Sequence, residues 1–221
     1  MREFFETYVH LFLLLHHPNE VTINLIITLL QFNKPPVMLA YNAFMKPPEV
    51  ISTERLILRK PRMDDAPAVF AGWASRAEVT RFLTWHPHQD VTQTEALMKR
   101  SIDAWDGDAK FRYLLEIKEN GLLAGMIELR MEPTRMSFGY TGAQDQWGKG
   151  YMTEAVRSVI EWAFAQPTIH RVYATTDVEN VPSRRVMEKA GMQCEGILRK
   201  NSIHPNISDI PRDCYIYSIV K

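Results

Sequence analysis

The feature that most constrains this chain is a strand-like segment, Met136 to Ala143, that passes through Trp147-Gly148-Lys149-Gly150 directly into a helical pattern. Met152, Ala155, Val156, Val159 and Ala163 fall on one face of that helix. A helix start leaves its first backbone N–H groups unpaired, and the helix dipole adds partial positive charge there. Glycines at the turn let a pyrophosphate approach the backbone without meeting a Cβ, and Lys149 adds a cation. The pattern fits an anion cradle, and it also fits a plain glycine turn before a helix. Two rival phosphate motifs do not fit. A Walker A loop needs Ser or Thr where Gly150 stands and an earlier glycine where Ala143 or Gln144 stands. A dinucleotide fingerprint needs a third glycine where Thr153 stands.

The flanking pattern is mixed α/β, in the order β-α-α-β-β-β-α-β-α-β-β. Arg55 to Arg59 reads as a short strand, and Asp64-Asp65 caps a helix through about Trp73. A loop carrying Phe82, Trp85, His86 and His88 precedes a helix over Thr92 to Trp105. Phe111 to Ile117 and Leu122 to Met131 form a hairpin around Glu119-Asn120-Gly121. Gly139 and Gly142 interrupt the third strand, as at a bulge or a close backbone approach. After the glycine turn and its helix come a strand over His170 to Thr176, a short helix bracketed by Pro182 and Gly191, and closing strands over Gln193 to Lys200 and Asp213 to Val220.

Residues 1–44 differ from the rest. They hold no glycine and five charged side chains, with apolar runs at Leu11–Leu15 and Leu25–Leu30 and a break at Pro35-Pro36. They read either as a helical extension or as a translation start placed ahead of a natural one at Met45. The missing amphipathic period favours the second, with the domain proper over 45–221. Twenty-six basic residues balance 26 acidic ones, which gives no electrostatic reason to expect nucleic acid or an anionic membrane as partner. The best apolar run, Val21 to Leu30, is about half a membrane span, and Glu3 and Glu6 outweigh Arg2 where a signal peptide needs positive charge. Cys194 and Cys214 have no metal-ligand spacing and read as reduced thiols, so a cytoplasmic protein without a metal is expected.

Trp147-Gly148-Lys149-Gly150-Tyr151 with Thr153-Glu154-Ala155, followed by Asn180-x-x-Ser183 and Glu188-Lys189-x-Gly191, resembles the GCN5-related N-acetyltransferases (GNAT). Thr53-Glu54-Arg55-Leu56-x-Leu58-Arg59 and Arg212-Asp213 are similar to the ribosomal-protein alanine N-acetyltransferase branch. The likeness covers roughly residues 51–221. It implies a largely antiparallel mixed sheet, split at a V-shaped cleft and flanked by helices, with acetyl-CoA in the cleft and a primary amine as acceptor. Tyr140, Gly142, Ala143, Gly148, Lys149, Gly150, Tyr151, Met152, Thr153, Asn180 and Ser183 are the implied cofactor contacts. Backbone N–H groups near Tyr140–Gly142 would polarise the thioester oxygen. The departures are Asp145 where the superfamily often has Gln or Arg, Gly142 where a larger apolar residue is expected, and Gln144 where the branch has proline.

In many relatives a tyrosine seven residues after the asparagine protonates the leaving thiolate. Met187 stands there and cannot. Ser183 is the remaining hydroxyl of the motif, either a thiolate-stabilising catalytic group or a helix cap. Glu128, opposite in face to Ile127 and Leu129, is the candidate base, or else a solvated strand residue; Asp177 is a weaker rival. Glu154, in a first helical turn, reads as structural. Phe82 and Trp85, with His86 and His88, line an acceptor site or sit on an exposed loop. The rival functions are a degenerate fold that holds CoA without turnover and, less well supported, a nucleotide-phosphate enzyme.

Overall fold

A computed structural model describes residues 46–107 and 109–221. The apolar runs at 11–15 and 25–30, the break at 35–36 and Met45 as a domain start lie outside the described residues.

Eight strands form one sheet in the order β1-β2-β3-β4-β5-β6-β8-β7. They are β1 (Val50–Ser52), β2 (Leu56–Arg59), β3 (Lys110–Ile117), β4 (Leu123–Met131), β5 (Arg135–Gly142), β6 (Arg171–Asp177), β7 (Gln193–His204) and β8 (Ser208–Val220). The helices are α1 (Ala66–Val69), α2 (Ala77–Thr80), α3 (Val91–Asp103), α4 (Tyr151–Ala165) and α5 (Val181–Lys189). Every neighbouring pair is antiparallel except β5 and β6. These two run parallel and pair only from Arg135↔Arg171 to Ser137↔Tyr173. Past Ser137 they part, which opens the expected split.

The split survives because each half is held from its outer side. Trp73, Trp105, Phe111, Leu114, Ile127 and Leu129 are fully buried around β3 and β4; each large apolar side chain so placed stabilises the fold by about 2 kcal/mol. On the other side β6 pairs with β8 over its whole length, from Arg171↔Val220 to Asp177↔Cys214. At the end of β5 the backbones crowd. A Cβ on Gly125 would lie 2.3 Å from the Thr141 carbonyl oxygen and 2.9 Å from Gly142 Cα, and Gly125 has φ +154°. Only glycine fits where β4 meets the strand end that leads into the glycine turn.

Several elements differ from the sequence reading, among them the short helix α2, which stands where only a loop is expected. The helix expected through Trp73 is a 3-10 turn (Met63–Asp65), then α1, then a π-helical turn (Phe70–Ala74). Pro67 has no N–H to extend the pattern, and the Asp65 carboxylate turns instead to Arg62 N–H (2.7 Å) and the Arg59 guanidinium (2.7 and 2.9 Å). The three residues of β1, before the expected first strand, pair with β2. Strands β7 and β8 extend to His204 and back to Ser208, well past Lys200 and Asp213. Their register shifts between Leu198 and Ser202, and Lys200 has φ 51°. That irregularity, with Pro211, breaks the alternation that would have revealed the longer strands.

Candidate active site

The glycine turn is built as an anion cradle. Gly148 (φ +78°) and Gly150 (φ +83°) are left-handed, and Gly150 is the N-cap of α4. The first backbone bond of that helix runs from Glu154 N–H to Gly150 O (3.1 Å). The N–H groups of Tyr151, Met152 and Thr153 therefore lack intrahelical acceptors. Nothing lies within 4 Å of a Cβ built on Gly148. Lys149 Nζ donates to Gln146 Oε1 (2.9 Å), and Asp145, the departure from the usual motif, is exposed.

Residues 53–55 hold this turn in place. Arg55 Nη1 donates to the Lys149 carbonyl (3.0 Å), and Arg55 Nε meets Glu154 Oε2 at 2.7 Å. The Thr53 hydroxyl (2.6 Å) and Arg55 N–H (2.8 Å) both donate to Glu154 Oε1. Partial burial opposes the charge on Glu154, yet these donors hold its carboxyl below the ordinary glutamate range. Glu154 is thus structural, as its place in the first turn suggested. Gly142 also has a local reason. The Trp147 indole lies against it, 3.4 Å from where a Cβ would be, and Trp147 Nε1 donates to Gly142 O (2.9 Å).

The split holds a hollow of about 360 Å³. Tyr140, Thr141, Asn180, Ser183 and Met187 are among its walls; Gly148–Thr153 stand outside it, at the exposed start of α4. The Ala143 side chain is packed in the core, its N–H bonds back to Ala124 O (3.0 Å) and its carbonyl accepts from Gln146 N–H (3.0 Å), so the groups expected to meet a cofactor there are engaged within the protein. Strand alternation then turns the N–H groups of Gly142 and Tyr140 away from β4, toward the split. The Thr141 hydroxyl, buried in the same wall, has no protein partner.

Ser183 does not cap its own helix. Asn180 is the N-cap of α5, and its Oδ1 accepts from Ser183 N–H (3.3 Å). The Ser183 hydroxyl instead lies 2.9 Å from Tyr140 Oη, whose single proton is donated to the Ser183 carbonyl (3.0 Å), so in this arrangement the serine is the donor between the two hydroxyls. Burial pushes the Tyr140 phenol well above the ordinary tyrosine value, more than the Ser183 hydrogen bond lowers it. A phenol from β5, and not one at position 187, thus lies beside Ser183. Sequence spacing carried no signal for it, because the partners are 43 residues apart.

The hollow also gathers aromatic and charged groups. Phe82 and Trp85 reach the hollow, as expected, and so does Glu128. Both Glu128 oxygens are taken, however: Oε2 by Arg112 Nε (2.5 Å) and Oε1 by Arg130 Nε (2.8 Å). A proton delivered there would break two ion pairs, which speaks against Glu128 as the base. His86 and His88 point elsewhere. His86 Nδ1 meets Asn206 Oδ1 (3.0 Å), and His88 Nδ1 meets the Thr94 hydroxyl (2.7 Å). Burial, aided by the Arg100 charge, keeps the His88 imidazole below its usual value. Asp177 is buried and held by Arg212 Nε (2.6 Å) and Glu179 N–H (2.9 Å); although burial opposes its charge, these partners keep the carboxyl below the ordinary aspartate range. Among the described residues, no group of three His, Cys, Asp or Glu side chains could hold a metal ion, and no helix is long and apolar enough to cross a membrane.

A sheet split between two parallel strands, with a glycine-capped helix start at one end of the gap and hydroxyls at its floor, defines an acyl-CoA-dependent transferase. Residues 55–193 match the acetyltransferase (GNAT) domain family, and the chain belongs to that family. It is 31% identical to the uncharacterized N-acetyltransferase p20 of Bacillus licheniformis over 177 residues, 78% of this chain and 97% of that one. A GNAT-family acetyltransferase from Bacillus anthracis superposes with TM-score 0.68 at 27% identity, covering 77% of this chain and 98% of that chain. The RimJ protein of Mycobacterium smegmatis, solved in complex with a CoA disulfide, superposes with TM-score 0.68 over 78% of this chain and 88% of its own; at 21% identity this likeness is one of fold.

Proposed function

We propose that this protein moves the acetyl group of acetyl-CoA to a primary amine by direct attack in a ternary complex. The observation that carries the reading is the β5–β6 split, whose hollow is walled by the paired hydroxyls of Ser183 and Tyr140 and whose strand β5 leads on in the chain to the glycine-capped start of α4. The chain's own groups suit the co-substrate. Free N–H groups at the start of α4 match a pyrophosphate, and the unpartnered Thr141 hydroxyl matches a polar arm lying in the split. The N–H groups of Gly142 and Tyr140 face the gap where a thioester oxygen gains charge. Asn180 fixes the start of α5 and with it the position of Ser183.

As the carbon–sulfur bond breaks, the Ser183 hydroxyl donates a hydrogen bond to the developing thiolate and keeps its proton, Tyr140 Oη–H turns from the Ser183 carbonyl to Ser183 Oγ, and the proton released by the acylated nitrogen ends on the sulfur. The phenol acts as a donor in a chain and keeps its proton, because burial makes it a weak acid. The acceptor is the amine of a protein N-terminus or of a small molecule, and the free Cys194 and Cys214 fit a reducing, cytoplasmic setting. The buried Met187 gives the second reading some weight, that of a fold which binds CoA without turnover. Thiol release from acetyl-CoA with a panel of small amines and N-terminal peptides separates the two. Amine-dependent release is expected. Tight acetyl-CoA binding with no amine-dependent release would favour the second.

A further inference from the structure

The hollow is lined from both faces of the sheet, and the two faces carry different groups. Tyr140 and its register partner Ile127 share one face, where Tyr140 meets Ser183 of α5. Gly125 lies on that face too, and a Cβ built on it would stand 3.2 Å from Met152 Cε of α4. Met126 and Glu128 point to the other face, where Met126 packs with Trp73 and with Leu97 and Met98 of α3. Coenzyme A held from the start of α4 to Ser183 occupies the first face and leaves the second to the amine. On that second face Phe82 to Trp85 wall the hollow beside Glu128, and Trp85 packs against the Met126 cluster.

The turn that carries these residues has one bond of its own, from Leu83 N–H to Thr80 O (2.8 Å). Its two ends are joined by a side chain from far along the sequence. Asn206, in the turn between β7 and β8, donates through Nδ2 to Thr80 O (2.7 Å) and to Trp85 O (2.8 Å). Its Oδ1 lies 3.0 Å from His86 Nδ1. Both carbonyls can only accept, so the amide nitrogen must face them and the oxygen must face His86, whose Nδ1 then carries the proton. Both amide hydrogens and the amide oxygen are thus engaged by one segment, residues 80–86.

We propose that Asn206 is a positioning residue for the acceptor amine: it closes the turn over residues 80–85 and so sets Phe82 and Trp85 against the hollow. This inference rests on the acetyl-transfer reading, which puts coenzyme A on the opposite face. Asn206 is not among the residues that wall the hollow, so it acts through the turn and touches neither substrate.

The test uses the full chain, with an alanine-terminated hexapeptide and, in a second arm, spermidine as acceptors. Asn206→Asp keeps the size of the side chain but puts carboxylate oxygen against two carbonyl oxygens, whereas Asn206→Ala only deletes the donors. KM for the acceptor should rise about tenfold or more in Asn206→Asp, the scale of two lost hydrogen bonds, and by less in Asn206→Ala. Loss of binding alone leaves kcat within about threefold and the acetyl-CoA Kd within about twofold. A role in shape alone gives the reverse order, since aspartate is the closer isostere. That order, an unchanged KM in both variants, or a kcat and acetyl-CoA affinity that fall together with acceptor binding overturns the proposal. Fluorine NMR of wild-type protein carrying fluorotryptophan gives an answer that needs no turnover. The Trp85 signal, identified by its loss in Trp85→Phe, should move as either acceptor is added to the CoA-saturated protein. A signal that neither acceptor moves refutes the role of the turn, and with it that of Asn206. A signal that moves without thiol release refutes acetyl transfer to that amine and leaves Asn206 as the brace of an amine-binding wall.

Discussion

At its loop end the cleft is a local structure. Residues 146–154 supply the cradle, and a short nearby segment, Thr53 to Arg55, fastens it through Glu154. Its inner walls are assembled differently. Tyr140 comes from β5, Ser183 from α5, Asp177 from β6, and His204 and Arg212 from the two strands of a bulged hairpin. Backbone geometry makes the first region, so it tolerates changes in side chains and not in glycines. The second depends on individual side-chain atoms, so single conservative substitutions there should cost chemistry and spare the fold.

The largest expected effect is at the inner wall. Ser183→Ala should lower kcat about 100-fold, the scale of one lost oxyanion-type donor, and leave the acetyl-CoA Kd within about twofold. Because Asn180 rather than Ser183 caps α5, the melting temperature should hardly move. A normal kcat with a lowered melting temperature would return Ser183 to a structural role. Tyr140→Phe should lower kcat in the same direction. If the two hydroxyls form one donor chain, the double variant should lose less than the two separate losses combined.

Next is the cradle. Gly150→Val places a β-branched residue at φ +83° and should weaken acetyl-CoA binding at least tenfold, about 1.4 kcal/mol. Gly121→Val is the matched control. Gly121 is also left-handed (φ +71°), with no atom within 4 Å of its Cβ, and it lies in the β3–β4 turn. Both variants should lose stability, and only Gly150→Val should lose affinity. Equal affinities would detach the glycine turn from the site.

A smaller effect is expected where the loop is fastened. Glu154→Gln should destabilise the fold by about 1 kcal/mol at pH 7, the scale of a few charge-assisted hydrogen bonds on a partly exposed carboxylate. The folded-state value of Glu154 is depressed. Its contribution is therefore present above the unfolded glutamate value of about 4.3 and is lost as pH falls through the folded value. Denaturant melts of the two proteins should differ at neutral pH and converge below about pH 4. The smallest effect concerns the N-terminus: a chain beginning at Met45 should keep full acetyl transfer, since every named group lies downstream. Loss of solubility or activity would make residues 1–44 part of the working domain.

The same contrast explains how much of the molecule could be read in advance. The strand–glycine–helix order is a run of neighbours, so the cradle, the sheet's element order and the split were legible from local pattern and motif likeness. Asn180 and Ser183 were legible as a motif, but which one caps the helix was not, since that depends on the Tyr140 hydroxyl arriving from β5. Glu128 was correctly placed on the cleft face by strand alternation. Strand alternation also puts Arg130 on the same face, two residues further along β4, whereas Arg112 meets Glu128 only through the β3–β4 register. His204 carries no sequence signal, because the irregularity near Lys200 interrupts the strand pattern four residues before β7 ends.

The central claim is that the β5–β6 split holds acetyl-CoA with its pyrophosphate on the glycine turn and its sulfur at Ser183. A crystal structure of the full chain with CoA tests this most directly. The account predicts pyrophosphate oxygens accepting from the N–H groups of the turn and the start of α4, with the thiol beside Ser183 Oγ and Tyr140 Oη. CoA bound elsewhere on the chain, or lying in the split with its thiol away from both hydroxyls, would contradict it.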